Sequence, residues 1–318
     1  MGGLSLRSLA AWIALLGALV AGAMLVPTVQ MPPLAVHAAA AVTDPPAVLI
    51  PAAQPALAVP VYGAPAPPAV LTAQAGILMD ADTGRILWAR NARQPRPMAS
   101  LTKIFTAMEA VSLNADVARM VTVTPAIKDI PWDSTVMGLT VGETVSVRDL
   151  LDGMFLPSGN DAAMALAEAA GSRAAFIAGM NALAAAIGLR DTHFTNPWGA
   201  DDPQHHASAL DLAVAAVYLD AHYPALAAIA GTAAIDIPAT STHKAFHLRT
   251  LNKLLASYPG VTGLKTGWTG EAGGCLVGTA TRNGQHLVSV LLGSANTFAE
   301  TRELLDYGFA RADATGRD

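Results

Sequence analysis

Strand-like runs stand at both ends of the folded part of the chain, and helical runs fill the middle. Residues 75–79 and 85–89 flank Asp80-Ala81-Asp82-Thr83-Gly84, whose Asp and Gly residues suit a tight reversal, and together they predict an opening hairpin. Helices are predicted over residues 100–113, over 161–170 stopped by Gly171, and over 173–187 stopped by Gly188. A further one spans 209–221, with Ser208 as its N-cap. Near the end, residues 275–282 and 285–292 are joined by Asn283-Gly284, the strongest short hairpin signal. A last helix runs over about residues 299–310. Strands at both ends with helices between them predict an α+β fold, an antiparallel sheet from the N- and C-terminal segments packed with a helical layer.

Composition divides the 318 residues into three parts. From Leu9 to Val26 every residue is apolar or Gly, preceded by Arg7. That length suits a bilayer crossing at about 20 residues per span, and Ala38-Ala39-Ala40-Ala41 offers a small-residue cleavage site. Residues 1–26 therefore read as a signal peptide or an N-terminal membrane anchor, with the positive flank keeping the N-terminus cytoplasmic. Residues 27–70 hold 11 of the 21 prolines and one charge, Asp44, the composition of an extended spacer rising about 3.1 Å per residue. Residues 71–318 are long enough for one well-cored domain. A net charge of −5 gives no basic footprint for nucleic acid. The lone Cys275 allows no intramolecular disulfide and lies in an apolar run, as a buried small hydrophobe would.

Candidate chemistry begins at Ser100-Leu101-Thr102-Lys103, where a hydroxyl and an amine three residues apart share one helix face. Serine is a weak nucleophile at its own pKa and needs a neighbouring base, which a lysine one turn away can be. Holding a lysine of ordinary pKa neutral at pH 7 requires about 4.6 kcal/mol, which burial and a second cation reduce. Lys265 can be that second cation. Ser158 and Asn160 are expected in a loop between Pro157 and the helix predicted from Asp161, whose carboxylate reads as complementing that helix dipole. Lys265-Thr266-Gly267 falls on an alternating run, residues 261–268, consistent with an edge strand where glycine admits a close substrate backbone. His205, His206 and His243 lack any H-E-x-x-H-like spacing, so neither metal nor cofactor is expected. No G-x-S-x-G elbow is present.

The trio S-x-x-K, S-x-N and K-T-G, with Leu156-Pro157-Ser158-Gly159-Asn160-Asp161, Phe194-Thr195-Asn196-Pro197 and Thr262-Gly263-Leu264 around it, resembles the serine D-alanyl-D-alanine carboxypeptidases, the low-molecular-mass penicillin-binding proteins. The resemblance covers about residues 73–310 and implies a β-lactamase/penicillin-binding-protein transpeptidase-like fold with the site where sheet and helical layer meet. It implies Ser100, Lys103 and Ser158 as catalytic, with Ser158 relaying a proton to the leaving amine. It also implies that Asn160 binds the substrate or Lys103, that Lys265 and Thr266 bind a terminal carboxylate with Thr269 as helper, and that the backbone N–H groups of Ser100 and Trp268 beside Gly267 make an oxyanion hole. In some relatives an arginine after the last hairpin assists, yet residues 294–300 contain none and Arg302 lies further along its helix. Many relatives continue into a second all-β domain and a C-terminal anchor, which are not expected here.

The implied activity is removal of the terminal D-Ala from peptidoglycan stem peptides outside the cytoplasmic membrane, inhibited by β-lactams. Cleavage of peptidoglycan cross-links by D,D-endopeptidase action is the alternative within the enzyme class. A non-catalytic penicillin-binding or wall-binding module is the alternative outside it. A class A β-lactamase would need a glutamate in an E-x-x-L-N-like stretch, and none occurs between Asn160 and Lys265.

Overall fold

The computed structural model describes residues 71–315, so the leader (1–26) and spacer (27–70) lie outside the described residues. The chain opens with β1 (Ala75–Asp80) and β2 (Ile86–Arg90), makes a 3-10 turn over Ala99–Thr102 and enters α1 (Lys103–Leu113). There follow β3 (Met120–Thr122), β4 (Thr144–Ser146), α2 (Val147–Phe155), α3 (Asn160–Ala169), α4 (Arg173–Ala186), α5 (Ala209–His222) and α6 (Pro224–Ala230). The remainder is β5 (Ala234–Ile237), β6 (Phe246–Arg249), α7 (Leu254–Ser257), β7 (Val261–Thr269), β8 (Gly273–Arg282), β9 (Gln285–Ser294) and α8 (Thr297–Thr315).

The main sheet has the order β2-β1-β9-β8-β7 with every pairing antiparallel, so the first and last segments of the domain meet where Ile77 faces Val290 on β1 and β9. The β8–β9 turn forms at the predicted place, with Asn283 and Gly284 both at positive φ, as a type I′ turn requires. Helix caps also follow the sequence: Ser208 accepts from the Asp211 N–H at the head of α5, and Ser172 does the same for Ala175 at α4.

One layer exceeds the expectation. Strand residues alternate between two apolar faces: Ile77, Val277, Val288 and Val290 join the helical core with α1, α3 and α5, while Leu78, Leu276, Leu287 and Leu291 pack against Leu304, Leu305 and Phe309 of α8. The sheet is therefore covered on both sides, which is why β8 and β9 read as nearly continuous apolar runs. Two small two-stranded antiparallel sheets, β3–β4 and β5–β6, were not anticipated; their strands, of three or four residues, are too short to show a period.

Glu300 fastens α8 to the start of the sheet. Its buried carboxylate accepts hydrogen bonds from the Thr72 N–H and hydroxyl, the Ala73 N–H and the Ser294 hydroxyl. Burial alone would raise its pKa, but these four donors together hold it below the usual glutamate range. A depressed folded-state pKa means stabilisation that is complete above the unfolded-state value and lost as pH falls through the folded one. Glu300→Gln is expected to lower stability at neutral pH by about 2 kcal/mol and to flatten the acid limb of the stability profile. Urea midpoints measured at neutral pH and at about pH 3 check both, and an unchanged neutral midpoint contradicts the assignment.

Candidate active site

Ser100 sits within the 3-10 turn, three residues before α1 begins, and not on the α-helix as the sequence suggested. The preceding Ala99 has φ +50°, an uncommon conformation for a residue with a Cβ. Three contacts hold it there. The Thr102 hydroxyl donates to the Ala99 carbonyl at 2.8 Å. His205 steadies that hydroxyl: the Thr195 N–H donates to Nδ1 at 3.1 Å, so Nε2 carries the proton and donates to Thr102 Oγ1 at 2.7 Å. Burial pushes the imidazole pKa down to about 4, so His205 is neutral at physiological pH. Gly199 completes the set at φ +94°, where an added Cβ would fall 1.9 Å from the Ala99 oxygen.

The i, i+3 spacing delivers its contact: Lys103 Nζ lies 2.7 Å from Ser100 Oγ. The amine also donates to Asn160 Oδ1 at 2.7 Å and to the Trp198 carbonyl at 3.0 Å. A neutral amine has two N–H groups to give. Asn160 and Trp198 take both, which leaves the lone pair facing the Ser100 hydroxyl. Lys103 is fully buried and makes no ion pair among the described residues. Burial, and next the Lys265 cation, hold its pKa well below the ordinary lysine range, with Asp161 opposing them.

Lys265 arrives from β7, the edge strand of the sheet, and is also buried. Its Nζ donates to Ser158 Oγ and to the Thr266 carbonyl, both at 2.9 Å, and burial brings its pKa down to about 7. Ser158 has φ +60°, a second non-glycine residue in the left-handed region beside a reactive hydroxyl. Asn160 is the first residue of α3 and not part of a loop, so its amide is held at a helix start. Gly267 brings β7 against the turn: a Cβ there would lie 3.0 Å from the Ser100 N and 3.1 Å from the Met98 oxygen.

Ser100, Ser158, Asn160, Thr266, Gly267 and Trp268 thus border one cleft of about 560 Å³, with Lys103 and Lys265 buried beneath it. The Trp268 side chain stands 74 % exposed at the lip. The arrangement joins a hydroxyl to a lysine base, and a second hydroxyl to a second lysine, which is chemistry for acyl transfer.

Some expectations need correction. Thr269, the proposed carboxylate helper, donates its hydroxyl to Asp201 at 2.5 Å and is occupied. Arg302 bonds the Ser257 carbonyl and hydroxyl and does not border the cleft. Cys275 does border the cleft, yet it is buried and its thiol is pushed up to about 11, burial being the main cause, so it remains a protonated hydrophobe. His205 and Asp161 have structural partners that no local pattern could disclose, since Thr102 and residues 137–139 lie far away along the chain.

Comparison with known proteins agrees with this geometry. The profile of the D-alanyl-D-alanine carboxypeptidase peptidase family matches residues 63–296. The chain is 33% identical to the D-alanyl-D-alanine carboxypeptidase DacF of Bacillus subtilis over 246 residues, covering 75% of this chain and 62% of that protein. It is 33% identical to DacB2 of Mycobacterium tuberculosis over 268 residues, covering 81% of this chain and 87% of that one. Among solved structures it is similar to the Streptomyces K15 DD-transpeptidase, with a TM-score of 0.72 at 31% identity, covering 77% of this chain and all of that one. The chain therefore spans about 62% of the length of the Bacillus relative.

The turn geometry makes one direct demand. Gly199→Ala drives a methyl group into the Ala99 carbonyl and is expected to slow labelling of Ser100 by a fluorescent penicillin by about two orders of magnitude. Gel fluorescence against time measures it, and wild-type labelling kinetics in this variant would show that the Ala99 turn does not govern Ser100.

Proposed function

The chain belongs to the D-alanyl-D-alanine carboxypeptidase family, and we propose on that premise that it removes the terminal D-Ala from peptidoglycan stem peptides through an acyl-enzyme on Ser100. The observation that carries the reading is the Lys103 amine, buried, committed to two acceptors and 2.7 Å from the Ser100 oxygen.

Ser100 Oγ attacks the carbonyl carbon of the penultimate D-Ala, and its proton passes to the lone pair of Lys103. The negative charge on the carbonyl oxygen is taken by the backbone N–H groups of Ser100 and Trp268. The C–N bond then breaks, the leaving nitrogen takes the Ser158 hydroxyl proton, and the Lys265 ammonium replaces that proton. Lys103 passes the proton it took from Ser100 on to Lys265, which restores both lysines. Water then attacks the ester carbonyl and gives a proton to Lys103, the C–O bond to Ser100 breaks, and Lys103 returns that proton to Ser100 Oγ as the shortened peptide leaves. Asn160 orients both Lys103 and the substrate amide, while Lys265 and Thr266 receive the terminal carboxylate. A penicillin follows the same first steps, but its amine stays tethered after the lactam opens and blocks the water, so the acyl-enzyme persists.

The substrate lies outside the cytoplasmic membrane, and the Arg7-flanked apolar run of residues 9–26 supports export of the domain. The spacer then holds the domain away from the membrane surface if the leader is retained. Among the described residues no single helix is long and apolar enough to cross a membrane.

Two outcomes are expected. First, mass spectrometry should find one D-Ala released from a pentapeptide ending in D-Ala-D-Ala and a penicillin adduct on Ser100. Ser100→Ala should abolish both, and Lys103→Arg should lower acylation severely, because arginine cannot supply a neutral base. An adduct on another residue would discard the assignment. Second, Lys103 must be neutral and Lys265 protonated, so kcat/KM should fall on acidification as Lys103 gains a proton and fall on the alkaline side as Lys265, its pKa brought down to about 7, loses its own. A rate that climbs steadily to about pH 10, as an ordinary lysine base would give, contradicts the mechanism.

A further inference from the structure

Residues 131–135 form the wall of the cleft opposite β7: Pro131, Asp133, Ser134 and Thr135 all border it. This wall has little secondary structure, yet it is fastened to the start of α3. The Thr135 hydroxyl donates to the Ser158 carbonyl, and the Asn160 N–H donates to the Thr135 carbonyl, both at 2.8 Å. Behind these, the Asp161 carboxylate receives the backbone N–H groups of Met137 at 2.8 Å, Gly138 at 2.8 Å and Leu139 at 2.9 Å, with the Ala162 N–H at 2.9 Å. Asp161 is only 3 % exposed and forms no ion pair among the described residues. Its charge is therefore held by oriented amides alone.

Packing leaves this junction no slack. A Cβ on Gly159 would lie 2.8 Å from Asp161 Oδ1, from the Met137 N and from the Gly153 oxygen, and one on Gly153 would lie 2.2 Å from the Met137 sulfur. A displaced wall therefore carries the Ser158–Asn160 turn with it. The charged side chains acting on Lys103 are Lys265, from β7, and Asp161, from α3; Ser100, Asn160 and Trp198 present neutral groups to it.

We propose that Asp161 is a positioning residue with two linked tasks: it locks the 131–139 wall to the Ser158–Asn160 turn, and it keeps a fixed negative charge behind Lys103. The inference rests on the peptidase reading of the site. An ordinary first-turn carboxylate would complement a helix dipole from the surface; Asp161 instead ties residues 22 to 24 positions upstream to the catalytic turn. Removing its charge removes the influence that raises the Lys103 pKa, so the amine stays neutral to lower pH.

Two variants separate position from charge. Asp161→Asn keeps the size but gives the three amides a weaker acceptor, and Asp161→Glu keeps the charge but displaces it. Stopped-flow acylation by a chromogenic cephalosporin is measured against pH, with the folded fraction of each variant determined by urea titration. For Asp161→Asn the expected result is a plateau rate lower by about 10- to 100-fold together with an acid limb moved to lower pH. For Asp161→Glu the plateau should fall while the limb stays at its wild-type pH. A wild-type plateau and limb in Asp161→Asn would overturn the proposal, as would a loss of rate accounted for by unfolding with the limb unmoved. Failure of the wild-type protein to acylate Ser100 would instead overturn the peptidase reading itself.

Discussion

Two lysine amines buried beneath one cleft, neither in an ion pair among the described residues, are the constraint on which the rest of the site depends. A buried ammonium carries a desolvation penalty that paired charges partly offset; here that offset is missing, and burial lowers the pKa of both amines, Lys103 well below the ordinary lysine range and Lys265 to about 7. The same low-dielectric floor amplifies the repulsion that Lys265 exerts on Lys103, which keeps Lys103 less protonated. Ser100 lies against the first of these amines and Ser158 against the second, the two contacts that the proposed nucleophile–base and relay–cation pairs require.

The fold supplies this environment from both of its major layers. Lys103 starts the central helix α1, sealed by α3, α4 and α5, while Lys265 comes from the sheet edge, where the outer side of β7 is open to a substrate backbone. Between them the chain must turn sharply twice, at Ala99 and at Ser158, and both residues accept left-handed backbone conformations that neighbouring groups enforce. A neutral histidine and the close approach of Gly199 fix the first turn, and the Thr135–Asp161 junction fixes the second. Such strain fits sites where reacting groups are held ready before substrate arrives.

Legibility in the sequence followed the range of the interactions involved. The Asn283-Gly284 hairpin, the Ser208 cap and the Ser100–Lys103 contact all arise within a few residues, and the sequence disclosed each of them. The α+β architecture was legible because strand-like runs bracket helical ones. The resemblance, not periodicity, brought Ser158, Asn160 and Lys265 into one place. What escaped was long-range: α8 covering the second face of the sheet, Thr269 bound to Asp201, and the partners of His205 and Asp161. No local period encodes which distant backbone amide a buried carboxylate will meet. Asn160 shows the limit at short range too, since one residue decided between a loop and a helix start.

The charge state of Lys103 tests the central claim most directly. Carbon-13 NMR of ε-labelled lysine, assigned by comparison with Lys103→Met, reports the protonation of this one amine across pH. The account predicts a Lys103 resonance that titrates well below the ordinary lysine value of about 10.4 and moves upward when Lys265 is replaced by Met. A Lys103 that titrates in the ordinary lysine range, or that ignores the loss of Lys265, would contradict it.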